Sequence, residues 1–218
     1  MDLRVIGVDE AGRGSFIGPL VIAGISIPAS QELLMRLKEL GVRDSKKLSP
    51  ARREAIFRQL RGLDGVRLKV FKLSPQLIDS YVWSRESIFN LNYLEAIYMG
   101  RLIGSLPGDL AVLDAADASE SLFLESILKH VRRKVLIISS HHADERYVAV
   151  SAASIVAKVT RDMEISRLHS LIGDFGSGYP SDPRTIDFIR RADGRPELVR
   201  FIRLSWKTLN KIERLKSL

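Results

Sequence analysis

Two hydrophobic rhythms alternate along the chain. Short apolar, often β-branched runs at 3–9, 19–27, 66–73, 110–114 and 135–139 predict five strands. In the third, Val66, Leu68 and Val70 fall on one side, and Ser74-Pro75 ends it. Apolar residues at helical spacing predict helices over 31–40, 51–60, 85–103, 121–131, 147–172, 185–191 and 206–215. Ser49 before Pro50 reads as a cap followed by a residue suited to a first helical turn. A Gly/Pro-rich stretch at 173–183 predicts a loop. The first two strands are joined too closely for a crossover, so they should pair antiparallel, whereas the later helical crossovers imply parallel pairing. The pattern therefore predicts an α/β fold with a mixed sheet flanked by helices. It also predicts a body over 1–184 and a helical C-terminal segment, 185–218, packed on or beside it in a single functional unit. Phe57, Phe71, Phe89 and Phe123 sit on apolar faces and are expected in the core.

Composition narrows the class. An apolar content of 45% in 218 residues supports a buried core and excludes a disordered chain. No stretch approaches about 18 uncharged apolar residues, so no membrane-spanning helix is expected. The first residues lack the basic-then-apolar layout of a secretory signal. The absence of cysteine removes disulfide scaffolds, thiolate zinc sites, iron–sulfur clusters and thiol nucleophiles together, and a cytoplasmic location is expected. Lys+Arg 34 against Asp+Glu 26 leaves a net charge of +8, which invites a polyanion such as nucleic acid, with solubility the competing explanation. With 23 Arg, 11 Lys, three Asn and three Gln, the chain leans towards a thermophilic source.

Acidic residues recur where strands end. Asp9 and Glu10 close the first strand, Asp114 closes the fourth, and Asp144 follows the fifth by a few residues. One such Asp is ordinarily a turn former or helix cap. Several converging on one point would repel unless a cation neutralised them, and with few His and no Cys the suited ion is hard, Mg²⁺ or Mn²⁺. Two such ions serve phosphoryl displacement, which a basic nuclease with an acidic pocket would exploit. A structural ion site, or no ion, is the rival reading. Glu145 and Asp162 compete with Asp144, and Asp117 competes more weakly with Asp114. The glycine-rich loop at 12–18 lacks dinucleotide spacing, but glycines there let backbone amides approach a sugar or phosphate. Asp44-Ser45-Lys46-Lys47 reads either as a solvated turn or as a phosphate clamp.

Taken in order, Gly7-Val8-Asp9-Glu10-Ala11-Gly12-Arg13-Gly14, Asp44-Ser45-Lys46-Lys47-Leu48, Asp114-Ala115 and the small-residue run at 151–158 resemble the signature of ribonuclease HII, the type 2 ribonuclease H. The loop at 176–183 and Trp206-Lys207-Thr208 are similar to its archaeal branch. The resemblance runs from residue 7 to residue 208. It implies a ribonuclease H-like fold, acting as a monomer, that cleaves RNA within RNA–DNA hybrids and beside single ribonucleotides in duplex DNA. It assigns the metal-binding carboxylates to Asp9, Glu10, Asp114 and Asp144. Gly12, Arg13 and Gly14 would contact the ribose 2′-hydroxyl through the backbone, and Tyr179 would pack against the neighbouring sugar. Lys46, Ser154 and Lys158 would meet backbone phosphates. Ser15 stands where archaeal relatives usually carry Pro, which removes a fixed φ and predicts a looser loop.

Two rival functions are set aside on the residues. A non-catalytic hybrid binder gains nothing from acids near phosphates, and the 2′-hydroxyl contact that the resemblance implies for Gly12-Arg13-Gly14, with Tyr179, argues against a DNA-only nuclease. Ser154 lacks any nucleophile-elbow context. His141 and His142 point in different directions from a loop near an acid, which suits proton transfer better than metal ligation. His130 and His169 are expected to be surface or satisfied helical residues. Arg190, Arg191 and the tail cations Lys207, Lys211, Arg214 and Lys216 read equally as a solvated face or as a nucleic-acid flank. No convincing docking motif for a replication clamp is present in the tail.

Overall fold

The computed structural model describes residues 3–42, 47–86, 88–114, 119–192 and 194–211. Five strands, β1 (Arg4–Ala11), β2 (Leu20–Pro28), β3 (Arg67–Leu73), β4 (Leu110–Asp114) and β5 (Leu136–Ser140), form one sheet in the order β3-β2-β1-β4-β5. The helices are α1 (Gln31–Glu39), α2 (Pro50–Gly62), α3 (Pro75–Val82), α4 (Leu91–Ser105), α5 (Glu120–Leu128), α6 (Ala143–Arg146), α7 (Val148–Ile172), α8 (Pro183–Ala192) and α9 (Pro196–Val199). A 3₁₀ turn spans Lys207–Lys211. This is the expected mixed sheet with flanking helices. Among the described residues no helix is long and apolar enough to cross a membrane.

The chain divides into two compact units: Met1–Ala11, Val21–Phe71 and Asn92–Val159 in the first, and Gly12–Leu20, Lys72–Leu91 and Thr160–Leu218 in the second. In the first, β1 pairs antiparallel with β2 and parallel with β4, and β4 pairs parallel with β5, as the connection lengths require. Gly7 explains how closely α7 lies on β1. A Cβ there would come within 2.1 Å of the Ala149 carbonyl group, so only glycine admits the helix backbone. The small residues Ala149, Ala152, Ala153 and Ala157 of α7 then pack with Val21, Ala23 and Ile25 of β2 and Ile56 and Leu60 of α2.

In the second unit, α8 and α9 share a core with Phe16, Ile17, Ile165 and Leu168 instead of building one alone. Buried Asp79 of α3 anchors the chain beyond α9, accepting from the amides of Leu204 and Ser205 at 3.0 Å and from the Ser205 hydroxyl at 2.6 Å.

Several local expectations change. Ser74-Pro75 ends β3 but also starts α3, with the Ser74 hydroxyl accepting from the Leu77 amide, the same capping grammar as Ser49-Pro50. The helix expected over 85–103 starts only at Leu91. Ile88 is 59% exposed, so burial does not reward extending the helix back to it, and the Ser84 hydroxyl accepts from the Glu86 amide in a local turn. Of the four phenylalanines expected in the core, Phe123 is fully enclosed while Phe57, Phe71 and Phe89 are partly buried. The helix expected from Trp206 begins one residue later, as a 3₁₀ turn.

Candidate active site

Parallel register places the first two acids side by side. Val8 is paired with Leu113, so Asp9 and Asp114 follow at adjacent carboxyl ends, where open α/β sheets bind their ligands. Asp9 is only 6% exposed and accepts the Glu10 amide on Oδ1 at 2.8 Å. Its side chain also hydrogen-bonds Ser154 of α7, which in turn receives the Lys158 Nζ at 2.5 Å. Burial lifts the Asp9 carboxyl from the ordinary carboxylate range to about 6. The Ser154 hydroxyl, the Glu10 amide and the Lys158 charge pull it back, and the Asp114 charge adds to the rise. Ser154 is fully buried, so in this conformation its hydroxyl is turned to Asp9.

Asp114 reaches the fourth acid through the backbone. β5 ends at Ser140, opposite Asp114, and His142 turns the chain with a left-handed φ of 56° into α6. His142 supplies no side-chain cap, and Asp114 Oδ1 accepts from the Ala143 amide at 3.2 Å instead. The next residue is Asp144, 4% exposed, whereas Glu145 is exposed and lies 3.9 Å from His142. The His141 amide donates to Glu120 Oε1 at 2.7 Å, and its ring faces the same carboxylate at 3.8 Å. Glu10 follows Asp9 on the opposite side of the β1 pleat. Among the described residues, no three Asp, Glu or His side chains stand close enough to hold a metal ion. Asp44, Ser45, Lys46, Asp117, Arg214 and Lys216 lie outside the described residues.

A hard cation suits what is present. Asp9 and Asp114 offer only oxygen donors, and Asp9 is held in a place where its own negative charge is costly. The cost has a measurable sign. A carboxyl whose folded pKa is raised from 3.8 to about 6 binds its proton more tightly folded than unfolded. Its contribution is therefore present in full below pH 3.8 and is lost as pH rises through 6, a difference of about 3 kcal/mol. Thermal melts in chelator from pH 4 to 8 should show this loss in the wild type but not in Asp9→Asn. Parallel pH profiles for the two proteins would refute the burial argument.

The second unit builds a different constellation. Gly12 takes φ +84°, and a Cβ there would meet the Arg161 side chain at 2.7 Å and the Pro19 carbonyl oxygen at 2.9 Å, while around Gly14 nothing lies within 4 Å. Ser15 ties the loop back on itself: its amide and hydroxyl both donate to the Gly12 carbonyl, at 3.3 and 2.9 Å. The amides of Phe16 and Ile17 donate to the Gly178 carbonyl, which ties this loop to the one carrying Tyr179. Asp182 organises the Tyr179 loop by accepting the Ser177 amide at 2.7 Å. That bond, with help from Arg184, holds its carboxyl at about 2 although burial opposes the shift.

Two arginines that sequence reasoning passed over hold this arrangement. Arg161, 6% exposed, lies with its guanidinium 4.4 Å from the Tyr179 ring centroid and donates to the Ser177 carbonyl at 2.9 Å. Arg203 is fully buried and donates to the carbonyls of Gly18 and Arg13. A signal for Arg161 existed, since Ser154, Lys158 and Arg161 recur at i, i+4 and i+7 in a helix otherwise rich in apolar residues. For Arg203 no sequence signal stands out.

A model of the family described as Ribonuclease HII matches residues 6–209. The chain belongs to this family. It is 42% identical over 212 residues to Ribonuclease HII of Methanothermobacter thermautotrophicus, spanning 96% of this chain and 98% of that protein. The ribonuclease H2 structure from Pyrococcus horikoshii OT3 superimposes with a TM-score of 0.84 at 39% identity, covering 97% of both chains. Ribonuclease HII from Archaeoglobus fulgidus, solved as a complex with PCNA, gives 0.82 at 36% identity, covering 94% of this chain and 96% of that one. Membership of the ribonuclease HII family makes this chain a nuclease, a hydrolase, and implies endonucleolytic cleavage of RNA in RNA–DNA hybrids.

Proposed function

We propose that this ribonuclease HII cleaves on the 5′ side of ribonucleotides, both in hybrids and singly embedded in duplex DNA, leaving 3′-hydroxyl and 5′-phosphate ends. Asp9, Glu10, Asp114 and Asp144 hold two divalent ions, Mg²⁺ or Mn²⁺. When bound, such ions supply an activated water and charge stabilisation at the departing 3′-oxygen. The observation that carries this reading is the buried Asp9 carboxyl beside Asp114, whose ionisation remains costly after the Ser154, Glu10 and Lys158 contacts and which a bound cation would favour.

The chain's own residues do the rest. Ser154, buried against Asp9, and Lys158 orient that carboxylate, and Lys158 with Lys46 meets backbone phosphates. Gly12, Arg13 and Gly14 present backbone groups to the 2′-hydroxyl, and Tyr179 packs on the sugar beyond it. The open space around Gly14 and the tie from Gly178 to the Phe16 and Ile17 amides support this division of labour. The net charge of +8 favours the nucleic acid. The chain acts as a monomer in the cytoplasm. A sliding clamp as partner is supported only by the Archaeoglobus relative, itself solved with PCNA.

Duplex DNA with and without one ribonucleotide, incubated with Mg²⁺ or Mn²⁺, tests the reading. Cleavage confined to the ribonucleotide strand, 5′ of the ribose, is expected. Equal cleavage of both duplexes would mean a DNA nuclease, and binding without cleavage would mean a non-catalytic binder. Tyr179→Ala should weaken embedded-ribonucleotide cleavage more than cleavage of a long hybrid. Arg161→Ala should reproduce that selectivity because the Tyr179 ring loses its support. Equal losses on both substrates would remove the role of Tyr179 at the sugar beside the ribonucleotide.

A further inference from the structure

α4 and α5 both end at the side of the sheet opposite the carboxylates. α4 finishes at Ser105, just before β4 begins at Leu110, and α5 finishes at Leu128, ahead of β5. Leu110 is in register with Leu136, so both helix ends meet at the strand starts, while Asp114 lies at the far end of β4, about 13 Å away along the strand. At Gly100 the two helices nearly touch. A Cβ there would come within 2.7 Å of His130 Cβ and 2.8 Å of the Ile127 carbonyl oxygen.

Helix C-termini ordinarily present unsatisfied carbonyls and draw cations for that reason. Arg133 already meets that need at α4, donating from its guanidinium to the carbonyls of Ile103, Leu106 and Gly108. Four further basic side chains are left. Arg101, Lys129, His130 and Arg132 line a cavity of about 420 Å³ with Gly104 and Ser105, and no acidic residue lines it. Arg101, Lys129 and Arg132 form no ion pair among the described residues. The Arg101 guanidinium rests 5.2 Å from the Tyr98 ring centroid. His130, expected to be at the surface or satisfied, has instead a buried Nε2 with no hydrogen-bond partner. Burial, then the charges of Arg101 and Lys129, lowers its pKa, so the ring is neutral near pH 7 and can donate one N–H.

We infer that this cavity is a second anion site, taking a phosphate monoester between Arg101, Lys129, Arg132 and the His130 ring. Three uncompensated cations favour a dianion over the single charge of a phosphodiester, and the volume admits a nucleotide as well as bare phosphate. The phosphate it holds is not the scissile one, since the carboxylates stand at the other end of the strands. The inference does not depend on how those carboxylates work. The monoester has two sources, a free phosphate or nucleotide and the 5′-phosphate end of a nucleic-acid strand.

Titration calorimetry in chelator, with the full chain, separates them. The probes are inorganic phosphate, a deoxynucleoside 5′-monophosphate, and one DNA duplex carrying either a 5′-phosphate or a 5′-hydroxyl. A double variant, Arg101→Ala with Arg132→Ala, removes two cations from the cavity. Arg36→Ala with Arg58→Ala removes the same charge from an exposed surface elsewhere. Free phosphate or nucleotide binding that weakens at least tenfold in the first variant and not in the second supports a small-ligand site. A preference for the 5′-phosphorylated duplex, abolished in the first variant alone, supports a strand-end site. Equal affinities in wild type and both variants, or no binding to any probe, would overturn the inference. Circular dichroism melts of the variants confirm that each is folded.

Discussion

Asp9→Asn is expected to reduce hydrolysis of an RNA–DNA hybrid on the order of a thousandfold or more, while affinity for the uncleaved hybrid stays within a few-fold of wild type. Asn keeps the shape and one oxygen of Asp but not the charge that a divalent ion needs. The hybrid itself is held through phosphates and sugar, which the substitution does not touch. Because Asp9 is ionised at a cost in its buried setting, the same change should raise the melting temperature of metal-free protein at pH 7.5. Activity lost together with stability gained separates a functional carboxylate from a structural one. Single-turnover rates at saturating Mg²⁺, with binding measured in chelator, decide the matter. A near-normal rate at saturating Mg²⁺ would remove Asp9 from the mechanism.

Gly7→Ala should destabilise the fold by about 3 kcal/mol or more. The added methyl would lie 2.1 Å from both the carbon and the oxygen of the Ala149 carbonyl and 2.5 Å from the Val150 amide nitrogen, and none of these is a side chain that can swing aside. Either α7 moves off β1 or β1 bends. Each route carries Ser154 away from Asp9, so activity should fall with stability. Gly14→Ala is the matched control: nothing lies within 4 Å of its Cβ position, so stability should hold even if ribonucleotide cleavage changes. Urea midpoints for the two variants make the comparison. Equal midpoints would mean that the helix and strand can separate at little cost.

Much of the architecture is legible because local chemistry and tertiary context agree. The apolar runs that predict β1, β2, β4 and β5 shift by only one or two residues at their ends, and the helix expected over 147–172 is α7 almost to the residue. Where they disagree, the cause is specific. Ser74-Pro75 is both a strand stop and a helix start, and periodicity alone favours the first. At 85–90 the apolar spacing continues, yet Ile88 finds no partner that buries it, so the helix does not extend there. The turn α6 has only four residues, too few for any periodic signal.

The candidate site divides in the same way. The amino-acid order by itself placed acids at strand exits, a glycine loop after the first of them and small residues on α7, because those features are local and depend on neighbours in the chain. Tertiary structure alone decided which acids become neighbours, through the parallel register that sets Asp9 beside Asp114. It also turned Ser154 and Lys158 towards Asp9, placed Arg161 against Tyr179, and ran Arg203 to the carbonyls of Arg13 and Gly18 across a sequence separation of up to 190 residues. A side chain's charge is fixed by its identity. The partner that charge meets depends on which distant backbone the packed core brings within about 3 Å.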